Sequence, residues 1–315
     1  MNFTISESDN GKNVLSYLKN TIKMSGGNIS YLKTLSDGIK VNGEHVTVRY
    51  ILNTGDLLSI HEKDEKDNIN EKIVPHKMDL DIIFEDENII AVNKPPYMPT
   101  HPSHNHTDDS LANGLMYLFS QRGQPFVFRA AGRLDRNTSG VVLVAKNRYT
   151  ASLIYKYTMN SCVQKRYIAL LSGEMDSDGK IHRIDCPIKR QSDSIIVRVP
   201  CDGGGEGEQS AITDYRVLYS SNGISLVDIY PKTGRTHQLR VHFAYIGFPI
   251  LGDSLYGCES EYISRHALHA VSVVIPKPLS NDTAKFYAEP AQDIKSAFYR
   301  ITSQSLNNYI YNDNL

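Results

Sequence analysis

"GRLDRNTSGVVLVAK", residues 132–146, joins a charged loop to an unbroken apolar run. The run Val141 to Ala145 reads as a strand buried on both faces, or central in a sheet. The loop before it is made permissive by Gly132 and Gly140. It sets Asp135 between Arg133 and Arg136, whose guanidinium groups would hold the carboxylate ionised. An ionised carboxylate among cations suits a nucleophile or base rather than an acid. The ordinary alternative is a turn-capping aspartate paired with arginine. These residues alone leave both readings open.

Working outward, further strands flank this one. "LDIIFEDENIIAVNKPP" holds two β-rich runs, about Ile82 to Glu85 and Ile89 to Asn93, around the polar turn "DEN". Leu111, Leu115, Leu118 and Phe119 follow at helical spacing. "RYIALLSG", "AITDYRVLY", "ISLVDIY" and "ALHAVSVVIP" read as strands, and "RTHQLRVHFAYIG" as a helix stopped by Gly247. Strands outnumber helices and do not alternate with them. That pattern predicts an α+β fold with a mixed, mostly antiparallel sheet and flanking helices, not a doubly wound one.

A smaller unit precedes this domain. Val14, Leu15, Leu18 and Ile22 share a helical face, and Ile29, Leu32 and Leu35 suggest a second short helix. "GIKVNGEHV" is a strand, an Asn-Gly turn and a strand. The expected organisation is a small α/β unit over 1–61, a charged linker over 62–79, a large domain over 80–298 and a polar, disordered tail over 299–315. "CDGGGEGEQS" lacks the strand-to-helix context of a phosphate loop and reads as a plain loop.

The net charge of −1 argues against a polycation wrapped on nucleic acid, but the average hides two basic stretches. Residues 129–166 hold eight Lys or Arg against one acid, Asp135, and Lys232 to His242 holds three cations and no acid. The four cysteines are scattered, with no Cys-x-x-Cys, so no metal site is expected and a reducing cytoplasm fits. No signal peptide and no membrane span are expected. No heptad repeat is present, so a monomer is expected.

Three further groups carry chemistry. Arg235, His237 and Arg240 gather at the start of the later helix, where backbone N–H groups also point outward. Arg240 sits among apolar neighbours, should face inward and needs a carboxylate, for which Asp135 is the expected partner. Tyr167 opens a strand after two basic residues and offers a ring to stack and a hydroxyl to bond. For each histidine or tyrosine taken singly, a plain helix-face or core role is the commoner one.

Taken in order, "GRLDRNTSGVVLVAK", "KRYIALLSG" and "TGRTHQLRVHFAYIGFPILGDSLYG" resemble the RluA-like family of RNA pseudouridine synthases. "IIAVNKPPYMPTHPS" looks like that family's opening motif and "SRHALHAVSVVIPKP" its closing one, so the resemblance runs from about 80 to about 295. The unit before the linker resembles an alpha-L RNA-binding domain. The resemblance implies that Asp135 attacks or deprotonates the ribose of a target uridine. It implies that Arg133 helps hold the flipped nucleotide out, and that Tyr167 stacks on the uracil and assists proton removal. Arg240 would then pair with Asp135, and Leu268 would pack beside the base. It further implies RNA, ribosomal or transfer, as partner, and neither a nucleotide nor any other cofactor. The sequence departs from the family in having Gly132 where many members have His. Its small N-terminal unit is also poor in arginine, with Lys33 and Lys40 its clearest cations.

Two rival readings remain at this level. One is a non-catalytic RNA-binding or ribosome-assembly protein that keeps the fold, against which the intact Asp135, Tyr167 and Arg240 set speaks. The other is a carbohydrate-active hydrolase, which would need a second carboxylate as acid. Glu85, Asp86 and Glu87 qualify by type only.

Overall fold

The Asp135 loop leads into β7 (Ser139–Ala145), which is buried at every position in a computed structural model describing residues 1–61, 73–277 and 282–311. Complete burial fits its place inside a nine-stranded sheet. The other strands are β5 (Asp81–Glu85), β6 (Ile89–Lys94), β8 (Gln164–Ser172), β9 (His182–Asp185), β12 (Ile212–Ser221), β13 (Ile224–Pro231), β14 (Leu268–Pro276) and β15 (Thr283–Tyr287). Their order is β5-β6-β7-β14-β8-β13-β12-β9, with β15 against the later half of β14, while β10 (Ile188–Arg190) and β11 (Arg198–Pro200) pair separately. Among the described pairs in this sheet only β7 with β14 is parallel, so the sheet is mixed and mostly antiparallel, as the sequence predicts.

Gly140 makes that parallel junction possible. Its φ is +115°, and a Cβ there would stand 2.2 Å from the Ala270 carbonyl oxygen. Only glycine satisfies both demands. Ala270 pairs with Gly140 on one side and with Tyr167 on the other. The end of the Asp135 loop and Tyr167 are therefore two strand spacings apart, about 10 Å.

Helices cover the sheet: α3 (Leu111–Gln121), α4 (Arg148–Met159), α5 (Gln238–Tyr245) and α6 (Gln292–Thr302). Leu239 and Phe243 of α5, with Ile294, Ala297 and Phe298 of α6, enter the main core beside Leu170, Leu226 and Ile229. Helix α4 escaped the sequence reading, because its mixed polar and aromatic run shows no clean stripe. Asn147 caps it by accepting from Thr150 N–H at 2.8 Å.

Residues 1–61 hold α1 (Val14–Ser16), α2 (Gly26–Leu32) and a four-stranded sheet, β1 (Asn2–Thr4), β2 (Ile39–Val41), β3 (Glu44–His45) and β4 (Leu57–Ile60), in the order β1-β4-β2-β3. Asn42 and Gly43, with φ of 52° and 88°, make the tight hairpin between β2 and β3. Val14, Leu18 and Ile22 point inward as the helical spacing predicts, whereas Leu15 is exposed. The core of this unit includes Tyr149 and Leu153 of α4, and Tyr149 donates to the Ile22 carbonyl at 2.7 Å. The unit is thus docked on the large domain.

The expected linker falls in part on 62–72, outside the described residues, and Ile73 already lies in the core under α3. The tail differs from expectation. Residues 299–302 complete α6, and α7 (Asn307–Ile310) follows, with Leu306 and Ile310 buried against the main core. Two apolar side chains at i and i+4 are enough to seat a polar helix.

Candidate active site

The loop that carries Asp135 is clamped by groups from two segments. Lys94, at the end of β6, is fully buried. Its Nζ donates to the carbonyls of Pro95 at 2.9 Å, Met98 at 2.7 Å and Arg136 at 3.1 Å. Burial pulls its pKa down to about 7, while Asp135 works the other way. Three carbonyl oxygens also favour the ammonium. Thr138 bonds His266 Nε2 at 2.8 Å, and Ser139 bonds His269 Nδ1 at 2.9 Å. Burial holds both histidines low, at about 3 and about 4. Nε2–H of neutral His269 donates to the Ala288 carbonyl at 3.2 Å, so Nδ1 accepts from Ser139.

Arg265 completes the clamp. It is locked to Asp293 of α6 by bonds of 2.6 and 2.8 Å, and it donates to the Asn137 carbonyl at 2.8 Å and to Ser139 Oγ at 3.2 Å. The residues "TSG" and "SRHALHA" therefore serve one end, holding the loop still.

Replacing Lys94 with Met should strip three part-buried carbonyls of their donor, at no more than about 1–3 kcal/mol each before relaxation. A urea melt should show a loss of a few kcal/mol. An unchanged midpoint would mean that Lys94 does not hold the loop.

Asp135 projects from this fixed loop with its side chain about a quarter exposed. Its Oδ2 stands 3.6 Å from Arg240 Nη1 and 3.9 Å from His237 Nε2. The two basic stretches of the sequence thus meet at one carboxylate. The flanking arginines do not pair with it as expected. Arg136 Nε donates to the Tyr97 carbonyl at 3.2 Å, and Arg133 is exposed with no hydrogen bond or ion pair to the described residues. The carboxylate is met instead by Arg240 and His237, from α5 and its cap.

Arg240 lies inward, as expected, but its close partner is Asp253 rather than Asp135. Nε and Nη2 of Arg240 reach the two oxygens of Asp253, each at 2.7 Å. Burial pushes Asp253 up, but the two bonds and charge of Arg240 prevail and hold it below the usual carboxylate range. The guanidinium also lies 5.0 Å from the centre of the Tyr256 ring. It is fixed on two sides, leaving Nη1 directed at Asp135.

His237 caps α5 in a left-handed conformation, φ 57°, so the helix begins at Gln238, two residues before Arg240. Its Nδ1 is 2.8 Å from the Tyr256 hydroxyl, which accepts the backbone N–H of Arg198 at 2.9 Å. The phenol can then donate its proton to Nδ1, leaving Nε2–H toward Asp135. Burial lowers the His237 pKa, with Asp135 opposing.

Tyr167 stands on β8 beside Ala270, half-buried. Burial, and secondarily Asp135, push its phenol well above the ordinary range. Leu268 is buried in the core that Tyr167 packs against. Arg235 is exposed and turned to the Ser210 carbonyl, 3.1 Å from Nε, rather than onto Asp135. Asp253, Tyr256 and Lys94 were not singled out from sequence. Glu85 pairs with Arg122 at 2.7 Å and Lys146 at 3.0 Å, so it is engaged elsewhere. No cluster of three or more metal-ligating side chains occurs among the described residues, nor any helix long and apolar enough to cross a membrane.

Comparison with known proteins gives this geometry a family. A family profile described as RNA pseudouridylate synthase matches residues 88–245, which includes Asp135, Tyr167 and Arg240. An uncharacterized RNA pseudouridine synthase of Bacillus subtilis, YjbO, is 37% identical over 282 residues, covering 87% of this chain and 96% of that one. Ribosomal large subunit pseudouridine synthase D of Zymomonas mobilis is 33% identical over 238 residues, covering 71% of this chain and 73% of that one. Among solved structures, human RNA pseudouridylate synthase domain containing 1 superposes with a TM-score of 0.55 at 30% identity. It covers 67% of this chain and 83% of that one. Human domain containing 4 gives 0.57 at 25% identity, over 70% and 92%. A profile match spanning half the chain, and a relative this similar over nearly its whole length, lead to one conclusion: the chain belongs to the RluA-like family of RNA pseudouridine synthases.

Proposed function

We propose that this RNA pseudouridine synthase modifies large-subunit ribosomal RNA in the cytoplasm, acting as a monomer, with Asp135 as the group that engages the ribose. The observation that carries the reading is the state of the Asp135 carboxylate. It lies in a rigidly clamped loop, faces Arg240 and His237, and receives no hydrogen bond from a described side chain. Its lone pairs are therefore available to a substrate. Relatives named for the large ribosomal subunit support the choice of RNA.

A uridine inside folded RNA must first leave its stack, at a cost of a few kcal/mol. Stacking on the Tyr167 ring offsets part of that, at about 1–3 kcal/mol per base. Arg133, exposed and unpaired among the described residues, is placed to contact the strand the base leaves. Asp135 then attacks C1′ or takes a proton from the ribose, and the N1–C1′ bond breaks. Uracil turns and C5 bonds to C1′ as the Asp135–C1′ bond breaks, or as the proton Asp135 took returns to the ribose; the C5 proton departs and N1 gains one. Atoms and electrons balance without oxidant, reductant or phosphate donor. Arg240 steadies the carboxylate as its charge changes. Tyr167 is held protonated, so it is a poor base for the C5 proton near neutrality. Its part is the stacking platform and a hydrogen-bond donor, which narrows the role implied by the family motif.

Transcripts made with uridine tritiated at C5 test the substrate, because that hydrogen is released to water as the new bond forms. Release from one or a few sites of a large-subunit transcript is expected. Release only from transfer RNA would move the substrate class, and release from no RNA would contradict the reading.

A further inference from the structure

Lys165 is partly buried, and its ammonium makes no hydrogen bond or ion pair with any described residue. A cation partly withdrawn from water, with no partner among the described residues and beside a reaction site, is open to a ligand. Its position narrows the choice. Lys165 and Tyr167 are two residues apart on β8, so their side chains share a face, about 7 Å apart along the strand. Both line a crevice whose opposite wall includes Gly132, Arg133 and Leu134 of the Asp135 loop.

Gly132 is what lets the ammonium sit there. A Cβ at that position would stand 3.3 Å from Lys165 Nζ, tighter than ordinary contact, so any larger residue must press on the lysine. The backbone does not demand glycine here, for Gly132 is absent from the positive-φ residues. The room is used by the lysine. Arg133, on the same wall, is a second cation with no hydrogen bond or ion pair to the described residues. Two unneutralised cations, one compact and one forked, flank the face on which a flipped uridine would stack. Such a pair suits a backbone phosphate more than a base edge, which would want a hydrogen-bond acceptor as well as donors.

We propose that Lys165, in the space left by Gly132, binds the RNA phosphate next to the flipped uridine, together with Arg133. The proposal rests on the reading of Tyr167 as the stacking platform and adds a backbone contact to it. A bound phosphate would also restore the proton that burial weakens on Lys165.

The test is the salt dependence of binding of an unmodified large-subunit ribosomal RNA transcript to wild type, Lys165→Met, Lys165→Arg and Gly132→Ala. Each lost phosphate contact lowers the slope of log affinity against log salt by about 0.7 on single-stranded RNA. Lys165→Met should lose about that much slope and bind more weakly, while its melting temperature stays the same or rises because a partly desolvated, unpaired charge is gone. Lys165→Arg should keep the slope. Gly132→Ala, which displaces the ammonium, should lose part of it. A full slope in a folded Lys165→Met protein would overturn the contact. A fall in melting temperature with an unchanged slope would also overturn it, assigning Lys165 a packing role. Failure of the wild type to bind the transcript would overturn the RNA reading beneath it.

Discussion

Asp135→Asn is expected to lower pseudouridine formation by at least about 10⁴-fold, the scale seen when a nucleophile is removed from an otherwise intact site. The amide keeps the shape of the side chain but neither attacks C1′ nor takes a proton. RNA affinity should stay within a few fold, because phosphate contacts from Arg133, Lys165 and other cations do not pass through residue 135. Tritium release under single-turnover conditions gives the first quantity and filter binding the second. Parallel losses in both would mean that Asp135 only organises the RNA surface. That is the result a non-catalytic RNA-binding protein would give.

The second large effect belongs to Asp253. Its bidentate pair with Arg240 is buried on both sides. Removing one partner strands a buried charge, which typically costs about 3–5 kcal/mol. Asp253→Ala should lose about that much in a urea melt, and turnover should fall because Arg240 is freed from its aim at Asp135. The double replacement Asp253→Leu with Arg240→Met should recover most of the stability, since an apolar pair of similar volume often substitutes for an ion pair. It should recover none of the turnover. Recovery of both would mean that the Arg240 charge is not used in the reaction.

The fold was readable where local pattern and tertiary role coincide. Val141 to Ala145 is apolar without break and lies within the sheet. Leu111 to Phe119 keeps helical spacing and forms α3. Helix α4 was not readable, because it buries two faces, Tyr149 and Leu153 against the N-terminal unit and Ile154 against the sheet. Burial on two sides erases the single stripe on which periodicity depends. The tail misled for the opposite reason. Leu306 and Ile310 are two apolar residues in a polar segment, and only the core beside them shows that two suffice.

The site divides the same way. Asp135 and Arg240 could be suspected singly, from a carboxylate among cations and an arginine among apolar residues. Although more than 100 residues apart, they could be expected to meet, because an inward arginine needs a carboxylate, and they do so at 3.6 Å. Arg240 does pair with Asp135, but its closer partner Asp253 was missed because it lies 13 residues on, beyond any helical repeat. The only sequence signal for Asp253 was that an inward arginine must find a carboxylate, and it is the nearest downstream. Lys94 gave none, since its partners are backbone carbonyls. Gly132 and Lys165 are 33 positions apart, and only the packing of the loop on β8 sets one against the other.

The most direct test is pseudouridine mapping of ribosomal RNA from cells that lack this gene, complemented with the wild-type gene or with Asp135→Asn. The account predicts that one or a few large-subunit uridines go unmodified in the deletion. The wild-type gene should restore them and the variant should not. Full restoration by Asp135→Asn would contradict it, because no chemistry through that carboxylate would then be needed.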